Sequence, residues 1–96
     1  MNYVYRETAV NTTVSLRDRV IGVTATGTSI YLPPISSVRA GFLITIKDTG
    51  AFATISPTIV WPDGSETIDG QNPIVVFTTD YTSLTLMSNG AQWSIL

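Results

Sequence analysis

The chain has 96 residues and a formal net charge of −2, and it contains neither His nor Cys. That length holds one domain, and 44% hydrophobic with only 12% charged residues excludes an intrinsically disordered chain. The missing His and Cys exclude His-based nucleophile triads, His/Cys zinc sites, iron–sulfur ligation and disulfides. Five Lys plus Arg give no phosphate-tracking patch, so nucleic acid is not an expected partner.

Thr, Ile and Val supply 34 of the 96 residues. Such side chains lose χ1 freedom in a helix and pack well on a pleated surface, so the chain reads as all-β. The predicted strands are bounded by their breakers. Segment 12–16 alternates with Val14 and Leu16 on one face, and 19–24 follows, ending before Gly27. Segment 28–32 pairs Ile30 with Leu32 and is stopped by Pro33-Pro34, because proline cannot donate to a ladder. The best helix candidate, 34–40, is long enough for one turn only. In 42–48, Phe42, Ile44 and Ile46 face one way and Leu43, Thr45 and Lys47 the other. Segments 52–56 and 58–61 flank Pro57, and Pro62-Asp63-Gly64 makes a turn. A short strand at 66–68 ends at Asp69-Gly70, and 74–79 follows Pro73. Segments 81–88 and 91–96 form a hairpin around Asn89-Gly90, a pair suited to a type I′ turn, with Leu84 and Leu86 set against Trp93 and Ile95.

About ten short strands with a turn every few residues predict an antiparallel β-sandwich or barrel-like domain of 8–10 strands. A weak echo links 27–32 with 64–68, but no fixed period supports a solenoid. Leu43 beside Ile44, and the run Val75-Val76-Phe77, put apolar groups on both faces of a strand. Both faces of such strands need cover, which predicts a homo-oligomer. Ile44, Val76, Leu84, Leu86, Trp93 and Ile95 are the expected core or subunit interface. No apolar run approaches the roughly 20 residues of a membrane helix, so no membrane insertion is expected.

Asp63, Glu66 and Asp69 are the densest carboxylates. They admit a cation site or a paired-carboxylate site, and Asp63 and Asp69, each before a Gly, equally admit plain turn formation. Trp61, beside the Pro-Asp-Gly turn, is a candidate platform for a sugar, and Tyr81 is a weaker one of the same kind; Tyr3, Tyr5 and Tyr31 resemble Tyr81 in this. Large aromatics serve equally as core anchors. Arg6, Glu7, Arg17, Asp18 and Arg19 read as a solvated mixed-charge stretch or as inter-subunit ion pairs. The abundant hydroxyls lack a base to activate them, so no catalytic residue is expected.

Four pieces follow one another along the chain: Ser29-Ile30-Tyr31-Leu32-Pro33; the strand Ile44-Thr45-Ile46-Lys47-Asp48-Thr49-Gly50 after Gly41; Pro62-Asp63-Gly64-Ser65-Glu66-Thr67-Ile68-Asp69-Gly70; and a closing stretch, 83–95, of pattern S-L-T-L-x-S-N-G-x-x-W-x-I. In this order they resemble a module of viral fibres, chiefly the distal parts of bacteriophage tail fibres and tail spikes. The resemblance covers 20–96; residues 1–19 do not match clearly and are read as a lead-in strand or shaft linker. It implies a homotrimer on a virion, made in the host cytoplasm, that attaches to a host-surface glycan without a cofactor and without catalysis. A purely structural trimerisation, capping or head-decoration module and a free carbohydrate-binding module are the alternatives.

Overall fold

The computed structural model describes residues 4–51, 55–75 and 79–96. Among the described residues there are nine strands: β1 (Val4–Thr8), β2 (Thr12–Thr13), β3 (Asp18–Val23), β4 (Ser29–Tyr31), β5 (Leu43–Asp48), β6 (Ile59–Trp61), β7 (Ile74–Val75), β8 (Ser83–Ser88) and β9 (Trp93–Ile95). The helical turn expected in 34–40 is a 3₁₀ turn at Ile35–Ser37. The all-β expectation therefore holds among the described residues.

The strand directions correct the antiparallel expectation. One sheet runs β1-β3-β5-β8-β9 and the other β2-β4-β6-β7. The chain alternates between them through its first six strands, and each strand pairs in parallel with the one two places earlier: β1 with β3, β3 with β5, β2 with β4 and β4 with β6. This is three stacked coils of a β-helix. Only β7, β8 and β9 turn back, pairing antiparallel on β6, β5 and β8. A parallel return normally needs a long crossover, often a helix; here the return passes through a strand of the opposite sheet.

The coils also correct the expectation of no solenoid. In the first sheet Arg6, Ile21 and Ile46 stack, and in the second Thr12, Ile30 and Val60. Their spacing differs from coil to coil, so a search for one fixed period misses them. The true echo is Ser29–Tyr31 on Ile59–Trp61, not 27–32 on 64–68.

Inward residues of both sheets and of the connections beside them build one core: Val14, Ile21, Val23, Ile30, Leu32, Ile35, Ile44, Ile46, Val60, Ile68, Ile74, Leu86 and Trp93, with Val38, Phe42 and Leu84 packed against it. Phe42 meets Trp93 edge to face at 6.1 Å, a preferred geometry for the ring quadrupoles. The first coil is different. Where later coils place Ile21 and Ile46 it places Arg6, and where they place Ile30 and Val60 it places Thr12. Among the described residues β1 and β2 are edge strands of their sheets, and polar inward groups suit an edge coil. Arg6 donates to Asp18 through Nη2 at 2.7 Å and Nε at 3.2 Å, and to the Thr13 carbonyl at 3.2 Å, closing the end of the core.

The expected hairpin at Asn89-Gly90 is present, with a different turn. Ser88 pairs with Trp93 and Leu86 with Ile95, leaving a four-residue loop; Leu84 pairs with Ile46 and has no partner on β9. Gly90 has φ 92° but Asn89 is not at positive φ. Its side chain instead accepts from the amides of Ala91 and Gln92 at 2.9 and 2.8 Å. The type I′ pattern occurs at Asp69-Gly70, where both residues have positive φ (46° and 82°) and Ile68 and Gln71 exchange both backbone hydrogen bonds.

Candidate functional site

Alternation along the short strands of the second sheet sends Ile30 and Val60 into the core and Tyr31 and Trp61 outward. The parallel register sets Tyr31 directly beside Trp61, with Thr13 on the other flank of Tyr31. Neighbouring strands lie about 4.8 Å apart, so the two aromatic side chains leave the same face of the sheet from adjacent positions, an aromatic shelf. Tyr31 is 40% exposed and Trp61 is half-buried. A cleft of about 320 Å³ opens beside the shelf, lined by Tyr31, Leu32, Trp61, Pro62, Asp63, Gly64 and Asn72.

The turn that frames this cleft is fixed from below. The Glu66 amide donates to the Asp63 carbonyl at 2.9 Å, and Asn72 Nδ2 donates to the carbonyls of Gly64 and Glu66, each at 2.9 Å. The Asn72 donors are thus consumed, and no hydrogen bond holds the exposed Asp63 carboxylate among the described residues. The shelf therefore offers the exposed Tyr31 side chain, the accessible part of Trp61 and the Asp63 carboxylate. The Trp61 indole N–H is enclosed and has no acceptor among the described residues. A buried donor without a partner costs about 1–3 kcal/mol.

The three carboxylates do not converge. Glu66 turns away from Asp63 and accepts the Ile35 amide with both oxygens, at 3.1 and 3.2 Å, where it anchors the start of the 3₁₀ turn. Asp69 serves its type I′ turn, and its Oδ2 accepts the Ile95 amide at 3.3 Å. Among the described residues no three Asp or Glu side chains gather in a way that holds a metal ion.

Tyr81 belongs to another place in the fold. Its backbone sits at φ 64°, its amide donates to Asp48 and its carbonyl accepts from Lys47 at 2.6 Å, both residues of β5. Of the expected ligand-binding residues, Trp61 and Asp63 line the cleft; Glu66, Asp69 and Tyr81 do not. Tyr31 and Asn72 join them, and Tyr31 had a sequence signal. Thr28-Ser29-Ile30-Tyr31 and Thr58-Ile59-Val60-Trp61 are the same pattern, a buried Thr followed three residues later by an outward aromatic.

Ile44, Leu86 and Trp93 are wholly buried in the chain's own core, Leu84 is partly buried and Ile95 is 40% exposed. Val76 lies outside the described residues. The two-faced pattern survives at Leu43, which points out while Ile44 points in. On the outer face of the first sheet Leu43 pairs with Met87, Val20 with Thr45, and the Thr45 and Thr85 hydroxyls share a hydrogen bond of 2.9 Å. Among the described residues no helix is long and apolar enough to cross a membrane.

Comparison with models of known protein families finds no match, and no curated protein sequence matches the chain either.

Proposed function

We propose that the chain is a non-catalytic fibre module of a virion that binds a host-surface glycan on the Tyr31–Trp61 shelf and works as a homotrimer. The observation that carries this reading is the in-register pair of outward aromatics. Pyranose rings present a face of C–H bonds with slight positive charge, which complements the negative face of an aromatic ring. Two adjacent rings match an extended saccharide, and Asp63 at their edge accepts sugar hydroxyls as charge-assisted hydrogen bonds. The scattered carboxylates and the absence of His and Cys favour binding over catalysis. The resemblance of 20–96 to fibre tips supplies the setting. The outer face bearing Val20, Leu43 and Met87 is the surface offered for trimerisation.

The test is a glycan array read with wild type, Tyr31→Ala and Trp61→Ala. Wild type is expected to retain at least one neutral glycan, and each variant is expected to lose it, with Tyr31→Ala, the change at the more exposed ring, keeping its urea midpoint near that of wild type. A blank array for a protein that remains trimeric would overturn the attachment role. The structural reading would then stand, favoured by the end-capped coil. A monomer that binds glycan would instead be a free carbohydrate-binding module.

A further inference from the structure

A second cleft, of about 430 Å³, lies where the connection 35–42 passes the start of β3. It is lined by Leu16, Arg19, Ser37, Val38, Arg39, Ala40, Gly41 and Phe42. Two of the chain's five basic side chains are here, and none of its seven acidic ones lines it. In a protein of net charge −2 this is a local reversal of sign.

The two guanidiniums differ in kind. Arg19 is half-buried and oriented, with Nη1 donating to the Leu43 carbonyl at 3.2 Å. Arg39 is exposed, and its guanidinium has no hydrogen-bond or ion-pair partner among the described residues. The adaptable Arg39 fork, with the charge of Arg19 beside it, suits a planar anion, because guanidinium matches carboxylate geometry through two parallel N–H donors. The rest of the lining is apolar: Leu16, half exposed, with Val38 and Phe42. A ligand that fits carries one carboxylate on a compact body with an apolar face. The cleft volume lies within the range of small-ligand sites.

An extended acidic peptide is disfavoured by the pairing of the strands. Peptides dock on sheets by adding a strand to a free edge. Both sheet strands at this cleft are interior: β3 lies between β1 and β5, and β5 between β3 and β8. We infer that the Arg19–Arg39 cleft is a second binding site, separate from the aromatic shelf, for a sugar that carries a carboxylate. It does not depend on the shelf binding a neutral glycan.

The test is an amide NMR titration of the whole chain with methyl glucuronide, and in parallel with methyl glucoside and a short oligoglutamate peptide. The glucuronide is expected to shift the Val38, Arg39, Gly41 and Phe42 amides and the Arg19 and Arg39 side-chain N–H signals, and the glucoside is not. Arg39→Gln, an exposed change that leaves the fold intact, is expected to weaken glucuronide binding about tenfold or more. Arg39→Lys, which keeps the charge and loses the fork, should fall between. Trp61→Ala should leave the glucuronide response unchanged, and Arg39→Gln should leave shelf binding unchanged, so the two sites fail or stand separately. No shift with the glucuronide, an equal shift with the glucoside, or a stronger response to oligoglutamate would each overturn the proposal.

Discussion

At the scale of single residues, polar groups at the ends of the coil do work that composition does not reveal. Asp18 is buried, and burial alone would raise its carboxyl pKa. The Arg6 hydrogen bond, the Ser15 amide, the positive charge of Arg6 and the Ser15 hydroxyl together outweigh that and hold it below the usual carboxylate range. A carboxyl lowered in the folded state contributes stability above its unfolded value and loses that contribution as the pH falls through the folded one. Asp18→Asn removes the charge while keeping the shape. It should cost about 2 kcal/mol at pH 7, a charged hydrogen bond made by a partner that is partly exposed. The gap between wild type and variant in urea denaturation should be full above about pH 5 and narrow as the pH drops below about 4. A gap unchanged at low pH would contradict the assignment. Trp61 gives the opposite case. Its indole N–H lacks an acceptor among the described residues, so Trp61→Phe should leave the urea midpoint unchanged or raise it, since it removes an unmet donor and keeps a ring.

At the scale of elements, the sequence was legible wherever alternation decides the matter. Leu43–Asp48 puts Ile44 and Ile46 inward and Leu43 outward as its pattern requires. Strand direction was not legible, because a strand with one face on a core alternates identically in parallel and antiparallel ladders. That one ambiguity hid the coil, and with it the alignment of Tyr31 on Trp61. The carboxylates follow the turn reading and not the site reading: Asp63, Glu66 and Asp69 are close in sequence, but a separate turn or backbone amide engages each of Glu66 and Asp69. The turns show that the same dipeptide logic needs its context. Asp-Gly at 69–70 adopts the paired positive φ angles, while Asn89 keeps negative φ and closes its loop through its side chain. This separates two expectations for Asn89→Gly. In a type I′ turn the change would be neutral; in a side-chain-capped loop it removes two hydrogen bonds and should cost about 1 kcal/mol. Asn89→Asp, which keeps the accepting oxygen, should cost less than Asn89→Gly when both are measured by urea denaturation. Gly70→Ala, forced to hold φ 82° with a Cβ, should cost about 1–2 kcal/mol.

At the scale of the whole molecule, the two ends of the stack and the two outer faces differ in what they offer. The first coil ends in Arg6, Thr8 and Thr12, and Thr8 and Thr12 share a hydroxyl hydrogen bond of 2.6 Å. The other end is closed by strands that reverse direction. Between them, the outer face of the second sheet carries the aromatic shelf and the outer face of the first carries Val20, Leu43 and Met87. Tyr5 lies on that same outer face, its hydroxyl 2.7 Å from where a Gly22 Cβ would stand and donating to Glu7 at 2.9 Å. Of the residues expected in the core or at a subunit interface, Ile44, Leu86 and Trp93 lie in the chain's own core. If copies of the chain associate through an apolar sheet face, Leu43 and Met87 are the side chains to change. They are cross-strand neighbours whose outward position leaves the core intact when they are replaced. Wild type is expected to scatter light as a trimer of about 31.2 kDa, three times the 10.4 kDa chain. Leu43→Lys with Met87→Lys should place two like charges per subunit in that contact and return the mass to 10.4 kDa. The far-ultraviolet circular dichroism of the double variant should remain that of a β protein, because the monomer's core holds neither side chain. A wild type that runs at 10.4 kDa would refute the trimer, and a double variant that still forms one would move the contact to another face.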